Sequence, residues 1–232
     1  MHVNKKVTGV LILLTVMALA CTCNLPFLPG AGTGQPREET KPTSPPQPGE
    51  LFRDDFSNPN SGWETGDYEA GSVGYKDGAY FVTSLEDGST MWGVAHQSFD
   101  NLVIELDATQ ISAPANDNND YGVVCRNQPD SMAGYYLLIS GDGGYAILKS
   151  EGETFEALVD WTPTDVVRQG NATNHIRAMC DGPTLTLFVN GQRLATAEDT
   201  TFSRGDIALT ATTYESEPTE VHFDNLVVRR PQ

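Results

Sequence analysis

From Leu102 to Thr109 apolar and polar residues alternate, with Leu102, Ile104, Leu106 and Ala108 on one side and Glu105, Asp107 and Thr109 on the other. A period of two is that of a strand lying over a hydrophobic core. After an Asn/Asp-rich turn, the chain is expected to return beside it as a second strand, Tyr121 to Arg126. Comparable short runs follow one another from Leu51 to Arg229, each bounded by Gly, Pro, Asn or Asp. Lys76-Asp-Gly78, Glu86-Asp-Gly88 and Val189-Asn-Gly-Gln192 carry the residues that hairpin turns require. The pattern predicts about 12 to 14 strands, no helix and no internal repeat. Such spacing implies an all-β, two-sheet sandwich built as one domain over residues 51–232.

The first fifty residues read differently. Lys5 and Lys6 precede an apolar run, Val10 to Ala20, that is short for a membrane span and reads as a secretory leader over residues 1–20. Met17-Ala-Leu-Ala-Cys21 resembles the lipobox of bacterial lipoproteins. By that resemblance the Ala20–Cys21 bond is cut and Cys21 is lipidated, several acyl chains giving stable anchoring to the outer face of a bacterial membrane. An ordinary leader followed by a chance cysteine is the alternative. Thr22 follows the cysteine, and Cys23 is either a second acylation site or a free thiol. Seven prolines between Pro26 and Pro48, half of the chain's 14, mark residues 21–50 as an extended tether.

Charge narrows the partners. The formal net charge is −17, with 14 Lys+Arg against 31 Asp+Glu, and loss of Lys5 and Lys6 with the leader would take it to −17 − 2 = −19. A surface this acidic argues against nucleic acid, whose phosphates need basic partners. A soluble, monomeric, extracytoplasmic domain is expected. In an oxidising compartment Cys125 and Cys180 favour a disulfide, worth roughly 4 kcal/mol for a loop of about 55 residues. Two buried free thiols are the alternative.

Phe56 and Trp63, Tyr121-Gly-Val-Val-Cys-Arg126, Tyr135-Tyr136, Leu158-Val-Asp-Trp161, Cys180-Asp-Gly, Leu187-Phe-Val-Asn-Gly191 and Phe223-Asp-Asn225 together resemble concanavalin A-like jelly rolls. The similarity is greatest to laminin G-like and 3-keto-disaccharide hydrolase-type domains, and it spans Leu51 to Pro231. It implies two curved sheets whose concave face or end loops often bind saccharides. The same sandwich hosts lectins, hydrolases and adhesion modules, so it specifies fold better than function.

Hydrolases of this superfamily carry Glu-x-Asp-x-Glu or Glu-x-Asp-x-x-Glu. Here Glu105 and Asp107 match the first two positions, but Thr109 or Gln110 stands where the proton donor belongs. A non-catalytic domain binding carbohydrate or another extracellular ligand is therefore expected. A glycoside-processing enzyme and an envelope protein-interaction module are the alternatives. Trp92, Tyr121, Tyr136 and Trp161 are the candidate aromatic platforms, and Glu105, Asp107 and Arg126 the candidate polar partners. Each also has a reading as a core or structural residue, whereas Trp63 and Phe223 read as packing. No cofactor or metal site is expected. Asn116-Asp-Asn-Asn-Asp120 has enough oxygens for Ca²⁺ but the spacing of no specific calcium loop, and reads first as a solvated turn.

Overall fold

The computed structural model describes residues 49–152 and 154–232. The leader, Cys21, Cys23 and the tether up to residue 48 lie outside the described residues. Within them the chain forms fifteen strands and no helix: β1 (Glu50–Asp54), β2 (Gly66–Tyr68), β3 (Gly71–Lys76), β4 (Ala79–Ser84), β5 (Thr90–Phe99), β6 (Leu102–Ser112), β7 (Asn119–Asn127), β8 (Gly134–Ser140), β9 (Gly144–Ser150), β10 (Phe155–Pro163), β11 (Thr173–Asp181), β12 (Thr184–Val189), β13 (Gln192–Glu198), β14 (Gly205–Thr213) and β15 (Thr219–Arg229). Only the three-residue β2 escapes the sequence pattern, being too short to show an alternation.

The strands make two antiparallel sheets. The larger runs β13-β12-β11-β6-β15-β4-β3-β2, with β1 also paired to β15, and the smaller runs β10-β9-β8-β7-β14-β5. β15 is the central strand of the larger sheet. Its first half pairs with β4 and its second half with β1, while β6 lies along its other edge. A register shift between Asp224 and Val227, with Asn225 at φ 56°, separates the halves.

The alternation in β6 holds: Leu102, Leu106 and Ala108 are fully buried and Ile104 nearly so. They meet Tyr121, Val123 and Cys125 of β7 and Tyr135, Leu137 and Ile139 of β8 in one core between the sheets. A second, smaller cluster of Val124, Tyr136, Leu138 and Ala208, with Trp92, Val94 and Leu148 against it, lies on the outer face of the smaller sheet. β7 and β8 are therefore buried on both faces.

Two turn expectations need correction. β7 does not return beside β6: it pairs with β8 and β14 in the opposite sheet, while β6 pairs with β11 and β15. The six residues between them are long enough to cross the core rather than reverse on one edge. Alternation tells which face of a strand is buried, not which sheet it joins. Glu86-Asp-Gly88 likewise leads from β4 in one sheet to β5 in the other, and Gly88 donates to the Thr213 carbonyl at 2.9 Å. Lys76-Asp-Gly78 and Asn190-Gly191 are true hairpin turns, with positive φ at Asp77, Gly78, Asn190 and Gly191. Cys125 of β7 and Cys180 of β11 are bonded, Cα atoms 6.8 Å apart, so the disulfide ties one sheet to the other through the core.

Candidate functional site

In the smaller sheet, partners directly opposite one another share a face. Thr90, Thr212, Asp120 and Ser140 stand in one row across β5, β14, β7 and β8, on the outer face. At this end the chain builds a pocket of about 350 Å³. Its lining includes Asn119, Asp120, Ser140, Asp142, Trp161 and Tyr214. β10 is bulged between Val159 and Thr162, both of which lie opposite core-packed residues of β9, so Trp161 falls in the irregular stretch. Its ring lies over Gly144. A Cβ there would sit 2.8 Å from Ser140 Oγ and 3.5 Å from the indole, and glycine gives the room. Trp161 and Tyr214 keep 41% and 40% of their surface exposed, the aromatic walls of an otherwise polar site.

Asp120 is the unusual group. It is 2% exposed, has no cation against it among the described residues, and is held by the Tyr214 hydroxyl, which donates to Oδ2 at 2.5 Å. Burial pushes its carboxyl up to about 6, against the opposing effect of hydrogen bonds from Tyr214 and Thr212. The Tyr214 hydroxyl is itself pushed up by burial and by the Asp120 charge it faces. Across the pocket, Ser140 Oγ donates to Asp142 Oδ1 at 2.5 Å and accepts the Gly144 amide at 2.7 Å. A buried carboxylate without a counter-ion is costly. Such groups concentrate where a ligand or a reaction uses them.

The sequence-predicted residues divide among five places. Trp161 is in this pocket. Trp92 lines a separate cavity of about 770 Å³ toward the other end of the same face, with Glu64, His96, Asn127 and Asp206. Tyr136 is buried between them, its edge against Phe155 at 5.0 Å and its hydroxyl donating to the Met132 carbonyl at 2.8 Å. Glu105 and Asp107 lie on the outer face of the other sheet. Glu105 pairs with Arg229 and, at 3.4 Å, with Arg177, while Asp107 meets His175 at 2.9 Å and Asn225 at 3.0 Å. The structure does not bring these two carboxylates to the aromatic residues.

Tyr121 and Arg126 have interior roles. The Tyr121 hydroxyl receives Asn174 Nδ2 at 3.2 Å inside the core, and burial raises it to about 12. Arg126, 1% exposed, donates to the Asp100 and Phe202 carbonyls at 3.0 and 2.8 Å and to Asn101 Oδ1 at 3.2 Å, pinning two loops. In the Asn116–Asp120 segment, Asn116 and Asn118 are bound to Glu215, and Asp117 receives Gln110. Among the described residues no three His, Cys, Asp or Glu side chains converge on a metal position. Asp142 and Tyr214 were not singled out by sequence, and Asp120 only as the last member of the oxygen-rich turn weighed for Ca²⁺. The available signal was a charged residue heading a strand that is apolar on both faces.

The model of the 3-keto-alpha-glucoside-1,2-lyase-like domain matches residues 50–229. The chain belongs to this family. Solved structures share its sandwich at low identity. Carbohydrate binding module CBM66 from Bacillus subtilis is 17% identical, with TM-score 0.56 over 73% of this chain and 96% of that one. A Bacillus licheniformis beta-glucanase is 14% identical, with TM-score 0.54 over 80% and 100%. A native glycosidic hydrolase is 13% identical, with TM-score 0.58 over 78% and 95%. Among curated proteins, none matches the sequence. The concanavalin A-like fold expected from the motifs is thus the fold of the chain.

Proposed function

We propose that the domain is a saccharide-binding module that carries out no chemistry, held outside a bacterial membrane by lipid on Cys21 and the proline-rich tether. The observation that carries this reading is the Asp120 pocket: an exposed indole beside hydrogen-bonding carboxylates. This is the pairing that grips a sugar by its C–H face and its hydroxyls. Similarity to a carbohydrate binding module supports it. The separation of Glu105 and Asp107 from every aromatic candidate supports the absence of glycosidase chemistry at that pair.

The test is a glycan array followed by calorimetry on the best ligand. Trp161→Ala should weaken binding about tenfold or more while leaving the melting temperature unchanged, because the ring is largely outside the core. An array without binders, or a variant that binds as well as the wild type, would defeat the reading.

A second reading is favoured by Asp120 itself. A carboxylate with its affinity for protons raised toward neutrality suits general-base work, and the family description names a lyase acting on 3-keto-alpha-glucosides. Asp120 would then take the C2 proton beside the ketone, the C–H pair becoming a C1–C2 double bond as the C1–O bond breaks, and the leaving oxygen would gain a proton from water to depart as an alcohol. Turnover of a 3-keto-glucoside, lost in Asp120→Asn, would establish that reading instead.

A further inference from the structure

We infer that the Asp120 pocket selects its saccharide by charge, admitting neutral sugars, holding amine-bearing sugars most tightly, and rejecting anionic ones. The inference rests on the saccharide-binding reading above and goes beyond it by naming the class of sugar. It follows from an inventory of donors and acceptors.

The side-chain hydroxyls that line the pocket have spent their protons within the protein. Tyr214 donates to Asp120, Ser140 to Asp142, and Thr162 to the Asp160 carbonyl. Asn118 gives one amide proton to Glu215, and Asn119 turns inward and gives one to Gln110. The Gly144 backbone amide is taken by Ser140. What remains, apart from the Trp161 indole and a second Asn118 amide proton, is acceptor. Asp120 and Asp142 present carboxylates to the pocket. A ligand here must bring donors, which hydroxyls and ammonium groups do and a carboxylate, sulfate or phosphate does not.

The charge around the pocket has the same sense. The segments that form it, 116–120, 140–144, 160–165 and 213–217, hold Asp117, Asp120, Asp142, Asp160, Asp165, Glu215 and Glu217, and no Lys, Arg or His. An anionic sugar would meet repulsion and unpaired acceptors together. An ammonium would supply the cation that Asp120 and Asp142 lack, and the faces of Trp161 and Tyr214 would favour it further.

The experiment uses the purified protein on an array of neutral, 2-amino and uronate or sialylated glycans, then calorimetry on a matched trio of one linkage at neutral pH, where the Asp120 carboxyl is ionised. The amino form is expected to bind about tenfold tighter than the neutral form, and the uronate at least tenfold weaker. Asp142→Asn, at an exposed position that leaves the core intact, should reduce the amino-to-neutral ratio severalfold. Uronates binding as well as neutral sugars, or a ratio unmoved by Asp142→Asn, would overturn the inference while leaving the saccharide reading standing. Failure of every glycan to bind would defeat both.

Discussion

Replacing Asp120 by Asn should stabilise the protein at neutral pH and weaken it as a binder, and the size of the first effect follows from the structure. Asp120 is buried and its carboxyl is raised from 3.8 to about 6. An acid raised on folding binds its proton more tightly in the native state than in the unfolded one. Its contribution to stability is therefore greatest below the unfolded value, near 3.8, and is lost as pH rises through about 6. At about 1.4 kcal/mol per pH unit, the loss above pH 6 is about 3 kcal/mol. Asparagine keeps the shape and an acceptor for the Tyr214 hydroxyl but removes the charge. Urea denaturation of both proteins at pH 4 and at pH 7.5 isolates this group, because other carboxyls cancel in the difference. Asp120→Asn should be more stable by about 2–3 kcal/mol at the higher pH, and the gap should nearly close at the lower one. An equal gap at both pH values, or a variant less stable at pH 7.5, would refute the account of Asp120 as an unpaired buried charge.

Two further outcomes are expected. Cys125→Ala/Cys180→Ala should cost about 4 kcal/mol, since the bond closes a separation of 55 residues, and reduction of the wild type should lower its melting temperature in the same direction. Glu105→Gln should leave saccharide binding unchanged, since its partners Arg229 and Arg177 lie on the sheet opposite the pocket. Its part-exposed ion pairs make the stability cost under about 1 kcal/mol, measurable by the same urea titration.

Much of the architecture was legible because its causes are local. Residues 102–108 alternate cleanly, so one face had to be core, and Asn190-Gly191 supplies the positive φ that a tight hairpin needs. The assignment of strands to sheets was not legible. β7 is apolar on both faces because one face meets the core and the other meets Tyr136 and Leu138, so its periodicity carries no information about its neighbour. The site was hidden for a related reason. Trp161 was one of four aromatic candidates, but Asp120 was visible only as the last member of a polar turn, and Tyr214 lies 94 residues from the carboxylate it binds. Glu105 and Asp107 drew notice through a local spacing shared with hydrolases, and spacing along one strand does not say what the facing loops bring.

The place of β15 has a consequence for how the domain is made. Every other strand of the larger sheet precedes it in synthesis, yet it sits at the middle, between β6 on one side and β4 and β1 on the other. Until it emerges, β6 and β4 present unpaired edges with nothing between them, and the two flanks cannot join. Completion of the sandwich therefore waits on contacts between residues far apart in the chain, which makes folding slow. On the proposed export route, that delay would keep the polypeptide open until it has crossed the membrane.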